Sequence, residues 1–381
     1  MLRLLTAGES HNRGTLVVLD GFPAGLHVDE KYINDKLSQR QKGYGRGGRM
    51  KIEHDTVDFL SGVFQGKTIG SPISLMIWNK DYANWEKQYK AKHDEESIVA
   101  IPRPGHADLS GYLKYGFDSI RPVIERASAR STAAFVAAGA LCMTLLRGFG
   151  ADSVFHTIQI GSRKIAKDFS FSQIKELAGN NDINCCEEAA ADDMRRLIDR
   201  AKGEGNTLGG AVEVRVRDIV AGLGSYAQWD GRLDSAIAQA VMAIPSVKAV
   251  EIGNALSASG LSGREVQDEI FRAQNGYARR SNNCGGIEGG ISTGGEIVVR
   301  AYFKPIPTLK NPLPSVDVRT KKAVEARFER SDVCAVPSAG VIVEMQTIFV
   351  LTRFFLEKFG CDSIAEIKRN FDAYKSYLAG R

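Results

Sequence analysis

The 381-residue sequence predicts one integrated body of mixed α/β or α+β class. Three observations point there. Short stretches of alternating polarity recur from the first twenty residues to beyond residue 300, and segments of helical period lie between them. The balance of 43% apolar and 25% charged residues is that of an ordinary globular chain. Length alone allows two or three units, yet no low-complexity segment or repeat of roughly 20–50 residues divides the chain.

Thr15–Leu19 and Ile73–Trp78 read as strands bounded by Gly or Pro. Tyr32–Gln41 has a helical pattern with Asp29 as N-cap, and it leads into a glycine-rich basic loop. The clearest helix begins near Ser128, runs through Leu146 and stops around Gly148 and Gly150; being apolar nearly all round, it belongs in the interior. Residues 164–206 are more polar, with a charged, exposed helix from Glu187 to Lys202, and form an excursion from the same body. The strand Val212–Arg217, a helix over Asp234–Ile244 and the strand Val247–Ile252 follow. A helix near Ser262–Gln274, the strand Glu296–Phe303 and an apolar helix over residues 341–357 complete the chain. Alternation in several strands suggests antiparallel pairing.

No apolar run comes near the roughly 18 residues of a membrane span, and Met1–Leu5 is too short for a signal-peptide core. The six cysteines, at 142, 185, 186, 284, 334 and 361, contain no C-x-x-C pair and suit a reducing compartment. The expectation is a cytoplasmic protein with no membrane partner. Net charge is only +5, but Arg40, Lys42, Arg46, Arg49 and Lys51 crowd into twelve residues without an acid. Gly43, Gly45, Gly47 and Gly48 thread this run and would let backbone approach a ligand. Arginine forks suit carboxylate or phosphate, so a compact anion is expected there rather than nucleic acid.

Chemistry concentrates in two loops. Arg103–Tyr112 delivers His106 on a Pro-Gly turn between an arginine and an aspartate, and Gly8-Glu-Ser-His11 places a second histidine near the N-terminus. Imidazole titrates nearest neutrality, so a loop histidine among fixed charges is a natural proton donor. Arg126, Ser128 and Arg130 are expected in the first turn of the long helix, a phosphate-binding arrangement. Gly43–Gly48 matches G-x-G-x-x-G, but a helix precedes it where a dinucleotide site requires a strand. The run from Asn283 to Gly295 lacks the Lys-Ser/Thr of a P-loop, and its bare backbone could lie against a planar ring.

Together these segments resemble the chorismate synthase family. The resemblance is carried by Gly8-Glu-Ser-His-Asn12, the loop Gln39–Met50, Arg103–Leu109 and Glu125–Thr132. Val250–Gly253, Gly285–Ser292, Lys304-Pro305 and Arg330–Cys334 continue it, in the family's order and over nearly the whole chain. It implies an α+β fold, a β-α-β sandwich forming a single domain over residues 1–381, assembled as a homotetramer. It implies a lyase that converts 5-enolpyruvylshikimate 3-phosphate to chorismate and phosphate by anti-1,4-elimination, the last step of the shikimate pathway to aromatic amino acids. The cofactor would be reduced FMN. The chain has no large insertion of the kind that would carry NADPH-dependent flavin reduction, so an external flavin reductase is the expected partner.

Residue roles follow from the same resemblance. His11 would protonate the departing phosphate, His106 would donate to the N1 region of the flavin, and Asp332, relayed through Ser10, would help N5 accept the substrate proton. Arg126, Ala127, Ser128, Gly289, Lys304, Pro305, Ile306, Pro307, Thr308 and Arg330 would bind FMN, with Pro245 and Ser246 added where the residue pair differs from the family's. Arg40, Arg46, Arg49, Arg103 and Arg130 would hold substrate or NADP phosphate and carboxylate groups. Departures from the pattern are Asn12 for glycine, Ala127 for serine, Ser131 for glutamate, Val333 for proline and Ser338 for a common arginine. A flavin reductase or NAD(P)-dependent oxidoreductase is the competing enzyme reading, and an anion- or RNA-binding module around residues 40–51 is the non-enzymatic one.

Overall fold

Two antiparallel sheets and the helices packed on them organise the chain. The computed structural model describes residues 1–47, 54–91, 98–273, 276–329 and 331–381. The N-terminal sheet contains β1 (Arg3–Ala7), β2 (Gly14–Asp20), β3 (Asp58–Ser61) and β4 (Ile73–Trp78) in the order β1-β2-β4-β3. Its register sets Leu5 opposite Val18 and Val18 opposite Ser74. Alternation then buries Val17, Leu19, Ile73, Leu75 and Ile77 on one face. The second sheet contains β5 (Asp152–Ile160), β6 (Arg163–Lys164), β7 (Gly210–Arg217), β8 (Val247–Ile252) and β9 (Ile297–Phe303), ordered β8-β9-β7-β5-β6. Every pairing in both sheets is antiparallel, which resolves the class as α+β.

The principal helices are α1 (Glu30–Gln41), α2 (Tyr82–Lys90), α3 (Asp108–Tyr115), α4 (Arg121–Arg126) and α5 (Thr132–Arg147) in the first part of the chain. The second part adds α6 (Phe171–Leu177), α7 (Glu188–Gly203), α8 (Leu233–Met242), α9 (Val336–Phe359) and α10 (Ile364–Ala379). Helix α5 packs on β2 and β4, α9 packs on β5, β7 and β9, and the two helices pack on each other. Their backbones nearly touch at Gly139, where a Cβ would stand 2.3 Å from the Met345 carbonyl oxygen. Asp29 caps α1 as its position implies, accepting from the Tyr32 N–H at 2.9 Å.

Several expectations change. The C-terminal helix is longer than residues 341–357: it starts at Val336, with Pro337 in the first turn where no amide partner is lost. A further helix, α10, follows; its buried face is only Ile367 and Phe371, too thin a stripe to stand out in the sequence. The helix expected near Ser262–Gln274 is a single turn, Gly263–Val266, closed by a Ser262/Glu265 capping box. Beyond it Ile270–Ala273 pairs with Gly276–Arg279, so strand pairing overrides the helical pattern. Near Ser128 the chain is two helices: Arg126 ends α4, and Ser128 caps a short turn before α5.

Contrary to the expectation of no long apolar run, Val336–Phe359 and the stretch Arg121–Arg147 are long and apolar enough to cross a membrane. They are 89% and 78% buried within the protein, so their apolar surface is spent on its core. The excursion over 164–206 carries a small core of its own, in which Phe169, Phe171 and Ile174 pack on Val154 of β5.

Candidate active site

One cavity of about 510 Å³ gathers segments that lie far apart in the chain. It is lined by the 10–11 loop, the end of α1 with the loop after it, the Arg103–Ala107 turn and residues 127–132. Residues 244–246, the end of β9 through Thr308, and the stretch leading into α9 complete the wall. Of the expected site residues it brings together Ser10, His11, Arg40, Arg46, Arg103, His106, Ala127, Ser128 and Arg130. Pro245, Ser246, Lys304, Ile306, Pro307, Thr308 and Asp332 line it as well.

His11 is held from two directions. Its Nδ1 lies 2.9 and 3.0 Å from the two carboxylate oxygens of Glu125, and its backbone N–H donates to Oε2 at 3.0 Å. Trp85 stacks on the ring, with centroids 4.0 Å apart and planes 21° from parallel. Burial works against the charge of Glu125, but hydrogen bonds from His11 and Tyr89 prevail and hold its carboxyl below the usual range. Glu125, Trp85 and Tyr89 carry no assigned role from the sequence. The only hint was a carboxylate heading the Glu125–Thr132 segment.

His106 has a different character. Its Nε2 sits 2.8 Å from the Thr308 hydroxyl. Burial, reinforced by Arg103 and Lys304, pulls its pKa down to about 4, against a smaller opposing pull from Asp108. It is therefore neutral at pH 7 and offers a hydrogen bond rather than a labile proton. Lys304 donates to the Gly105 carbonyl at 2.5 Å, which fixes the turn that carries His106.

The arginines are already braced by carboxylates. Arg103 grips Asp108 through Nε at 2.8 Å and Nη2 at 3.0 Å. Arg46 pairs with Asp332 at 2.8 Å and also donates to the Ser338 hydroxyl at 3.1 Å. Arg40 and Arg130 share Asp55, at 2.7 Å and at 2.6–2.7 Å respectively, and Arg130 Nε donates to Asn79 at 2.7 Å. Burial opposes ionisation of Asp55, yet the two guanidinium groups keep its pKa low. Burial and the neighbouring Arg130 push Arg40 down to about 10, so it stays charged at neutral pH. One carboxylate between two buried guanidinium groups leaves a positive excess, which suits an anion.

Other expectations are revised. Arg126 does not line the cavity; it reaches back to the Gly8 and Thr6 carbonyls at 2.9 and 3.0 Å and braces the His11 loop. Gly289 lies in the hairpin Ile287–Ser292, and neither it nor Pro305 is among the lining residues. Gly43 and Gly45 of the basic loop pack closely against the chain itself, since a Cβ there would lie 3.1 Å from Pro337 or Cys334; Gly47 lines the cavity, and Gly48 lies outside the described residues. The 283–295 run likewise packs backbone to backbone, with Gly285 against Gly253. Among the described residues no hydrogen bond joins Ser10 to Asp332: Ser10 accepts from Ser128 at 3.1 Å, and Asp332 takes the Gly47 N–H at 2.6 Å. Arg49 and Arg330 lie outside the described residues.

Residues 2–356 match the model of the chorismate synthase family. The chain belongs to the chorismate synthase family. The chorismate synthase of Alkaliphilus metalliredigens is 49% identical over 379 residues, covering 99% of this chain and 100% of the relative. That of Geotalea uraniireducens is 47% identical with 99% of each chain covered. A crystal structure of a chorismate synthase superposes with a TM-score of 0.82 at 37% identity, covering 100% of this chain and 99% of the other. The chain is thus a lyase of aromatic amino-acid biosynthesis, acting on 5-enolpyruvylshikimate 3-phosphate to give chorismate and phosphate, in a family that uses reduced flavin. The oxidoreductase reading is not favoured.

Structure accounts for most of the departures from the chorismate synthase pattern. Asn12 closes its own turn by donating to Glu9 at 2.7 Å and accepting from the Arg13 N–H at 2.8 Å. Val333 donates its N–H to the Gly45 carbonyl at 2.9 Å, a bond that proline could not make. Ser338 supplies a neutral acceptor to Arg46 where an arginine would repel it. Ser131 bonds the Ser128 carbonyl at 3.0 Å. Ala127 lines the cavity without a polar group.

Proposed function

We propose that the elimination takes place in this cavity with reduced FMN bound beside the substrate. The observation that carries the reading is the meeting of two histidines of opposite character, one against an ionised carboxylate and one held neutral, in a single arginine-lined cavity. Small-molecule and cofactor sites in general span roughly 300–1,000 Å³, a range that includes this cavity. Arg40 and Arg130, two guanidinium groups on the cavity wall that share the single carboxylate of Asp55, support the fit to an anionic group.

His11 donates a proton from Nε2 to the departing phosphate, which leaves more readily as a protonated anion. Arg40, Arg46, Arg103 and Arg130 orient the phosphate and carboxylates of the substrate. Ser128, Pro245, Ser246 and the Lys304–Thr308 segment hold the flavin. The Lys304 N–H bonds the Ser246 carbonyl at 2.9 Å, so these two segments form one wall. His106 offers an N–H to the flavin as a hydrogen-bond donor. Asp332, anchored by Arg46 and the Gly47 amide, is the carboxylate that would help N5 of the flavin accept the substrate proton, with no direct hydrogen bond to Ser10 among the described residues. Reduced FMN, when bound, supplies electron density to the breaking C–O bond, chemistry no side chain of the cavity offers.

The layered contacts of α5 with one sheet and α9 with the other support a β-α-β sandwich forming a single domain. Assembly as a homotetramer is part of the proposal. The outer face of the N-terminal sheet supports it, since Leu5, Leu60 and Trp78 are exposed there. So are a cytoplasmic setting and an external flavin reductase; NADPH oxidation by the purified protein would assign flavin reduction to this chain instead. Anaerobic titration with reduced FMN tests the cofactor assignment: binding that weakens in Lys304→Ala is expected, and no binding to the wild type, with or without substrate, would overturn it.

A further inference from the structure

We propose that Glu125 is a positioning residue for His11: it keeps a proton on Nδ1, so that Nε2 is the nitrogen that exchanges a proton with the departing phosphate. The chemistry of this inference rests on the lyase reading above, whereas its geometry stands alone.

The ring is clamped in its plane and over its face. Both carboxylate oxygens of Glu125 lie within 3.0 Å of Nδ1, and Trp85 covers the ring at 4.0 Å. The clamp is itself fixed by helix spacing. Trp85 and Tyr89 are four residues apart on α2, and Arg121 and Glu125 are four apart on α4. Tyr89 donates to Glu125 Oε2 at 2.8 Å, Arg121 stands 3.6 Å from Oε1, and the Arg121 guanidinium lies 5.4 Å above the Trp85 ring. The Ser10 N–H donates to the Glu125 carbonyl at 3.0 Å, tying the backbone of the histidine loop to the same residue.

An ionised carboxylate is an acceptor only, so Nδ1 facing it must carry hydrogen. In the neutral ring that is the only N–H, which leaves the lone pair on Nε2. In the charged ring, the proton not held by Glu125 is the one on Nε2. On transfer the Nε2–H bond breaks, the proton joins a phosphate oxygen and the electron pair stays on Nε2. The Nδ1–H remains with Glu125, which neither gains nor loses a proton. Without this carboxylate the two tautomers compete, and a share of the molecules presents the wrong nitrogen state to the phosphate.

The test uses full-length protein with 15N-labelled imidazoles, the six histidines being separable with His11→Asn as the assignment control. The wild type should show neutral His11 as the Nδ1–H tautomer. In Glu125→Gln, isosteric but no longer acceptor-only, the signal should move toward Nε2–H. The same variant should lose about 10²-fold or more in kcat, with a smaller change in KM. A wild-type His11 in the Nε2–H form overturns the proposal even if Glu125→Gln fails to fold. So does a folded Glu125→Gln with unchanged tautomer or unchanged kcat. Wild-type protein that forms no chorismate would sink the lyase reading, while its tautomer would still decide the positioning claim.

Discussion

Asp55→Asn isolates the electrostatic design of the cavity wall. The wild-type carboxylate is buried and accepts three contacts of 2.6–2.7 Å from Arg40 and Arg130, both of them buried too. The amide preserves shape but leaves two guanidinium groups facing each other around a neutral, partly mismatched group. Removing one partner of a buried ion pair costs about 3–5 kcal/mol. An unfolding entropy of about 2.1 cal/mol/K per residue over 381 residues turns this into a Tm lower by about 4–6 °C. Differential scanning calorimetry reads it directly. The pH dependence gives a second handle, because Asp55 is held below its ordinary pKa of 3.8. Its contribution is fully present above that value and is lost as pH falls from there through the depressed folded value. The acid limb of the wild-type stability curve should therefore be steeper than that of Asp55→Asn. A variant within about 1 °C of wild type in Tm, with the same acid limb, would refute the claim that this carboxylate holds the wall together.

Three further outcomes are expected. His106→Ala should fold normally and lose at least about tenfold in turnover, and a smaller loss would remove its role at the flavin. The His106 ring should titrate near 4 by NMR, and Lys304→Met should raise that midpoint, since Lys304 is one of the charges that lower it. An unmoved midpoint would mean that burial and the neighbouring Arg103 and Asp108 set it without Lys304. Gly139→Ala forces a Cβ to within 2.3 Å of a backbone oxygen at the α5–α9 crossing. It should cost about 1–3 kcal/mol or more in denaturant unfolding, because backbone cannot yield as a side chain can; full stability would show that the helices separate easily.

Much of this was legible in the sequence, because it is written locally. Asp29 caps α1, and alternation marks β2, β4, β7 and β9. The two histidine loops, conspicuous in the sequence, line one cavity with Lys304, Ile306, Pro307 and Thr308. What escaped depends on contacts distant along the chain. The partner of His11 is 114 residues away, and Asp55 joins arginines 15 and 75 residues away, with no local pattern to announce either. Gly43 and Gly45 of the basic loop were read as room for a ligand, but the neighbour they admit is the segment entering α9. Around Ser262 a genuine capping box starts a helix that hairpin pairing ends after one turn. The arginine-rich composition likewise hid how far each cation is already matched by an internal carboxylate.

The central claim is that this cavity eliminates phosphate without net oxidation. The direct measurement mixes the protein anaerobically with chemically reduced FMN and 5-enolpyruvylshikimate 3-phosphate and follows both products. Chorismate and phosphate released in equal amounts, with the flavin still reduced at the end, is the predicted result. Folded protein that binds both molecules yet releases neither product, or that releases phosphate only as flavin is oxidised in step, would contradict it.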